Sequence, residues 1–138
     1  MDSEPATSDI AVRGGQGNSL VNAIADWLME QALGSTSAEQ LLEQCSLRLD
    51  AAGIPLFRTS IGFQILHPLY QAVSLIWYRD GGLDEPSQFS DDSVVTESWT
   101  KSPLYYLVVN KIPFLRRQLS GPQAQLDFEL LEELQEMG

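Results

Sequence analysis

The sequence predicts an α+β fold in which an N-terminal helical pair packs on an antiparallel β-hairpin or sheet. Three observations predict it. Apolar residues recur at three- and four-residue spacing up to Ala52, Gly53 interrupts that pattern, and from Phe57 onward apolar residues alternate. The changeover lies within Ala52-Gly53-Ile54-Pro55-Leu56-Phe57.

Residues 1–18 are rich in Pro, Ser, Thr, Asp, Gly and Gln and end in Gly14-Gly15-Gln16-Gly17, the composition of a flexible leader. A first helix starts at Asn18 or Ser19, both good N-caps. Leu20, Ala23, Ile24, Trp27, Leu28 and Leu33 form its apolar stripe, and Gly34 offers a left-handed stop. A second helix opens in Ser35-Thr36-Ser37, where Ser37 with Gln40 or Thr36 with Glu39 can form a capping box. Leu41, Leu42, Cys45, Leu49 and Ala52 make its inner face, and Gly53 ends it. So short a link predicts an αα-hairpin.

Phe57, Thr59, Ile61, Phe63 and Ile65 then point one way, with Arg58, Ser60, Gly62 and Gln64 opposite. After a turn at His67-Pro68-Leu69-Tyr70, Val73, Leu75 and Trp77 alternate in a second strand. Residues 79–97 read as a long loop that is mobile or covers something. Ser102-Pro103 starts a further helix, residues 114–119 read as a short strand, and Asp127 caps a last helix carrying Leu130, Leu131, Leu134 and Met137. Gly138 stands where a helix C-cap belongs, so a longer protein, or a sheet completed by a second copy, is expected.

The chain has 138 residues and a net charge of −11, from 19 acids against 8 bases. A single domain of this size buries roughly 68% of its unfolded surface. The acidity argues against nucleic acid and against an anionic membrane surface, both of which need clustered Lys and Arg. The opening Met1-Asp2-Ser3-Glu4-Pro5 lacks the apolar core of a signal peptide, and no apolar run is long enough to span a bilayer. Cys45 is the only cysteine, which excludes an internal disulfide and fits a reducing cytoplasm. It falls on a helical stripe, where a thiol packs as a small hydrophobe.

Several phrases, taken in order, resemble one family: Ala25-Asp26-Trp27-Leu28-Met29-Glu30, Leu49-Asp50-Ala51-Ala52-Gly53-Ile54-Pro55-Leu56, Leu66-His67-Pro68-Leu69-Tyr70, Ser102-Pro103-Leu104-Tyr105, and Leu126-Asp127-Phe128-Glu129-Leu130-Leu131-Glu132-Glu133-Leu134. The set is similar to the N-terminal regulatory region of bacterial class III adenylate/guanylate cyclases, over residues 19–138. The resemblance implies a GAF-like sensor module, truncated at its C-terminus, that dimerises and precedes a catalytic domain in the same polypeptide. It implies no catalytic residue and no cofactor here, because the cyclase metal and purine motifs have no counterpart in this chain. A small-molecule or protein signal is the implied input, and cytoplasmic signal transduction the setting.

Individual residues allow more than one reading. His67, the only histidine, is either a proton-sensitive or ligand-contacting group at the rim or a turn residue bonded to local backbone. Trp77, Tyr78 and Arg79, and likewise Tyr105 and Tyr106, either line a small-molecule pocket or are ordinary element ends. Arg116-Arg117 either grips a phosphate or carboxylate or answers nearby acids such as Glu129, Glu132 and Glu133. Trp27, with Leu28 and Leu41, is either a dimer seam or part of the core. Asp91-Asp92 lacks the spacing of a calcium loop, and no metal site is expected. Two other functions stand beside the regulatory one: a stand-alone protein–protein interaction module without catalysis, and a small enzyme joining His67 to Asp80 or Asp84.

Overall fold

A computed structural model describes residues 8–64, 66, 72–89 and 97–138. Its elements run α1 (Ser8–Ala32), α2 (Ala38–Ala51), β1 (Arg58–Gln64), β2 (Ala72–Tyr78), β3 (Gly82–Leu83), β4 (Ser87–Phe89), α3 (Glu97–Thr100), α4 (Pro103–Asn110) and α5 (Glu129–Met137). Helices and strands are segregated along the chain, the arrangement of an α+β fold. These residues form two compact units: the chain through Phe63 with Ser74–Ser87, and Gln64–Val73 with Gln88–Gly138.

In the first unit, α1 begins at Ser8 and not at Asn18 or Ser19, so it takes in part of the segment read as a leader. Each of Gly14, Gly15 and Gly17 disfavours a helix by about 1 kcal/mol relative to Ala. Extending a formed helix costs far less than nucleating one, which lets the turns around Ile24 propagate back through them. The other end also differs from expectation. Leu33 and Gly34 N–H donate to the carbonyls of Glu30 and Gln31 at 3.3 and 3.0 Å, tightening the last turn without a left-handed glycine at 34. Leu33 lies past that turn and is 92% exposed.

The start of α2 is the Ser37–Gln40 box: Gln40 N–H donates to Ser37 Oγ at 3.3 Å, and Ser37 N–H to Gln40 Oε1 at 3.4 Å. Its end is equally local. Gly53 takes φ +89°, while Ile54 N–H reaches Leu49 O at 3.1 Å and Gly53 N–H reaches Asp50 O at 3.0 Å. Those two bonds are the Schellman pattern that a left-handed glycine permits.

The sheet has the order β1-β2-β3, with β4 also paired to β2. Trp77 opposes Leu83 and Tyr78 opposes Gly82 in the antiparallel β2–β3 ladder. Part of the stretch read as a loop over residues 79–97 is therefore sheet; residues 90–96 lie outside the described residues. Helix α1 packs on α2, and α2 reaches the sheet. Among the described residues, Ile24, Leu75 and Trp77 are the buried apolar ones, with Trp77 only 2% exposed. Burying a large apolar side chain contributes roughly 1.5–3 kcal/mol. The apolar side of β1 is less covered than its alternation predicts, since Ile61 and Phe63 are 44% and 37% exposed.

In the second unit, Ser102 caps α4 and Pro103 occupies its first turn, as the sequence predicts. The helix ends at Lys111 in the left-handed conformation, φ 54°. Residues 114–119 are irregular, not a strand. Their groups bond elsewhere: Gln118 O accepts Gln125 N–H at 2.8 Å, Leu119 O accepts Gln135 Nε2, and Arg117 Nη1 donates to Arg116 O at 3.1 Å. Helix α5 has Phe128 at its N-cap, with no side-chain cap bond. Asp127 does not cap it, because Arg117 holds that carboxylate.

Candidate functional site

A cleft of about 420 Å³ opens in the second unit between α4 and the residues that lead into α5. Tyr105, Tyr106, Val109 and Asn110 line it from α4, and Asp127, Phe128 and Glu129 line it opposite. Thr100, Lys101 and Ser102 complete the rim. The position of Tyr105 and Tyr106 follows from the Ser102 cap, whose Oγ accepts Tyr105 N–H at 3.1 Å and fixes the first turn.

The aromatic groups support one another edge to face. Tyr106 meets Phe128 at 5.6 Å between ring centroids, and Tyr105 meets Trp99 at 5.9 Å. Asn110 Nδ2 donates to Tyr106 O at 2.8 Å, closing the last turn of α4. Lys101 pairs with Glu97 one helical turn away.

Arg117 anchors the opposite wall. Its Nε donates to Asp127 Oδ1 and Oδ2 at 3.0 and 3.1 Å, and its Nη2 donates to Oδ2 at 2.8 Å. That bidentate grip holds the Asp127 carboxyl below the usual carboxylate range and raises the guanidinium above its own. The chemistry available in the cleft is binding: two phenols and a phenyl ring for an apolar or planar group, with an amide, an ammonium and carboxylates at the margin. The aliphatic hydroxyls are engaged on backbone, Thr100 with Glu97 O at 3.0 Å and Ser102 with Tyr105 N–H. Among the described residues no cluster of three or more metal-ligating side chains occurs.

The residues singled out from sequence fall in several places. Tyr105 and Tyr106 line the cleft. Arg117 stands behind its wall and answers Asp127, not Glu129, Glu132 or Glu133, while Arg116 is exposed. Trp77 is buried in the first unit, so its ring faces no open pocket. Arg79 Nη2 pairs with Asp50 Oδ1 at 2.9 Å, with both side chains partly exposed. Trp27 is half-buried beneath the Arg48 guanidinium, 4.3 Å from the ring centre, and Leu28 and Leu41 are half-buried. Cys45 is half-buried, and burial pushes its thiol pKa up. His67, Asp91 and Asp92 lie outside the described residues.

Sequence reasoning missed Asn110 and Phe128 as lining residues. Phe128 is legible only once Asp127 is taken out of the cap, and that depends on an arginine ten residues earlier. No helix among the described residues is long and apolar enough to cross a membrane. No protein-family model, curated protein or solved structure matches the chain.

Proposed function

We propose that this chain is the N-terminal regulatory and dimerisation region of a bacterial class III adenylate/guanylate cyclase, a GAF-like sensor that modulates cyclic nucleotide synthesis by a downstream catalytic domain. The observation carrying this reading is the helical pair α1–α2 laid on an antiparallel sheet. It supports the reading at the level of an α+β class, and the quoted phrase around Gly53 forms its helix-to-strand junction.

In this reading the cytoplasmic protein is a homodimer whose seam includes Trp27, Leu28 and Leu41. A small-molecule or protein signal acts by binding one arrangement of the dimer more tightly than the other, since equal affinity for both would shift nothing. The cleft of Tyr105 and Tyr106 is the candidate place for such a signal.

The test uses the natural reading frame. Cyclisation of ATP and of GTP is compared for the encoded protein with and without residues 1–138. A changed rate or a changed response supports the reading. A frame without a cyclase domain, or a rate and response that survive the deletion unaltered, overturns it. Trp27→Ala in the full protein tests the seam, which is wrong if that variant stays dimeric and normally regulated.

A second reading is an interaction module that acts without catalysis. The exposure of Leu104, Val108 and Val109 on α4, and of Phe114 beyond it, favours this one.

A further inference from the structure

We infer that β1 is a self-pairing edge, through which two copies of this chain join their sheets by antiparallel pairing of Arg58–Gln64 with the same strand of the other copy. The strand is last in the order β1-β2-β3, and among the described residues no strand lies on its other side. Phe57 O accepts Arg79 N–H at 3.1 Å on the β2 side. Alternation then turns the peptide groups of Arg58, Ser60, Gly62 and Gln64 to the open edge. Folded proteins commonly block such an edge with Lys, Pro or a bulge. The strand Arg58-Thr59-Ser60-Ile61-Gly62-Phe63-Gln64 has neither Lys nor Pro, and every residue from Ser60 on is exposed.

Three features select a second copy as the occupant. The first is register. Pairing centred on Ile61 sets Ile61 against itself, Thr59 against Phe63, Ser60 against Gly62 and Arg58 against Gln64. The edge-facing peptide groups of Ser60 and Gly62 then exchange hydrogen bonds across the pair. Charge is the second feature. The chain carries −11 overall, yet β1 contains one arginine and no acid, and this register opposes no like charges.

The third is shape. Ser46 of α2 bonds to Thr59, so α2 covers the face that Thr59 shares by alternation with Ile61 and Phe63. A two-fold axis perpendicular to the sheet keeps both copies' α2 helices on that one face. The uncovered ends of the two strands are thereby brought together, Ile61 on Ile61 and Phe63 beside Thr59.

This inference does not rest on the cyclase reading, and its surface is separate from Trp27, Leu28 and Leu41. Sedimentation velocity of the 138-residue chain over a concentration series tests it, with wild type, Ile61→Lys, Ile61→Glu and an equimolar mixture of the two variants. Wild type is expected to self-associate. Each charged variant alone should associate more than about tenfold more weakly, because like charges meet on the axis. The mixture should recover, since Lys then faces Glu. Ser60→Pro, which deletes an edge-facing N–H, gives the same loss without adding charge, and circular dichroism confirms that each variant is folded. Wild type that stays monomeric, folded charged variants that associate as tightly as wild type, or a mixture that fails to recover would each overturn the inference. Loss of the association in Trp27→Ala with no loss in folded Ile61→Lys would assign it to the helices and overturn the inference too.

Discussion

Ser46 on α2 and Thr59 on β1 share a hydrogen bond of 2.6 Å across the boundary between helix and sheet. Ser46 also donates to Leu42 O at 2.7 Å. A serine hydroxyl has one hydrogen, so Thr59 must be the donor in the bond between them. Ser46 is 1% exposed, which makes this a polar clasp inside the apolar layer.

Ser46→Ala strands the Thr59 hydroxyl and is expected to destabilise the protein by about 1–3 kcal/mol. Thr59→Val leaves Ser46 its bond to Leu42 and should cost less. The double variant should cost less than the two single losses together, because both remove one interaction. Urea unfolding of the four proteins measures this, and strict additivity would contradict the clasp.

Gly53 and Gly62 offer a paired test of backbone freedom. A Cβ at either position meets nothing within 4 Å, but only Gly53 has positive φ. Gly53→Ala is therefore expected to lose about 1–2 kcal/mol from conformation alone. Gly62→Ala should be neutral or gain up to about 1 kcal/mol by restricting the unfolded chain. Thermal unfolding at one protein concentration distinguishes them.

Leu75 is fully buried on β2. Leu75→Ala is expected to cost about 2–5 kcal/mol through lost burial and the cavity left behind. That is a large part of the roughly 5–15 kcal/mol typical of a domain, and denaturant midpoints should show it at once.

The Arg117–Asp127 pair sets a pH dependence whose sign is fixed. The Asp127 carboxyl lies lower in the folded chain than the ordinary value of about 3.9, so the unfolded chain takes up that proton first. The contribution is present above the ordinary carboxylate range and lost as pH falls through the lowered folded value. Both side chains are solvent-accessible, so the effect on stability is small and the titration itself is the better readout. A carbon-detected titration should place Asp127 below 3.9 in wild type and return it toward about 3.9 in Arg117→Ala. An unchanged midpoint would contradict the pairing.

What could be read from the sequence was mostly what depends on near neighbours. The Ser37–Gln40 box, the Gly53 stop and the Ser102-Pro103 start each need only a few adjacent residues, and all three stand in the structure. The inward alternation of Leu75 and Trp77 was legible for the same reason. The errors arose where distant groups compete. Asp127 has the chemistry of an N-cap, but a guanidinium binds it more strongly than a backbone amide would. Residues 114–119 have strand-like composition, yet their bonds go to Ser120, Gln125 and Gln135. At the site, Tyr105 and Tyr106 could be picked out as aromatic residues on a capped helix, whereas Phe128 could not be placed against them before the chain was folded.

The contrast between Trp27 and Trp77 gives the molecule its own optical gauge. One indole lies under a cation held by the neighbouring helix, and the other is sealed in an apolar interior. With the third tryptophan, Trp99, replaced by Phe, opening the helical hairpin would change the emission of the first while leaving the second blue-shifted, so intrinsic fluorescence can separate movement of the helices from melting of the core without any attached dye.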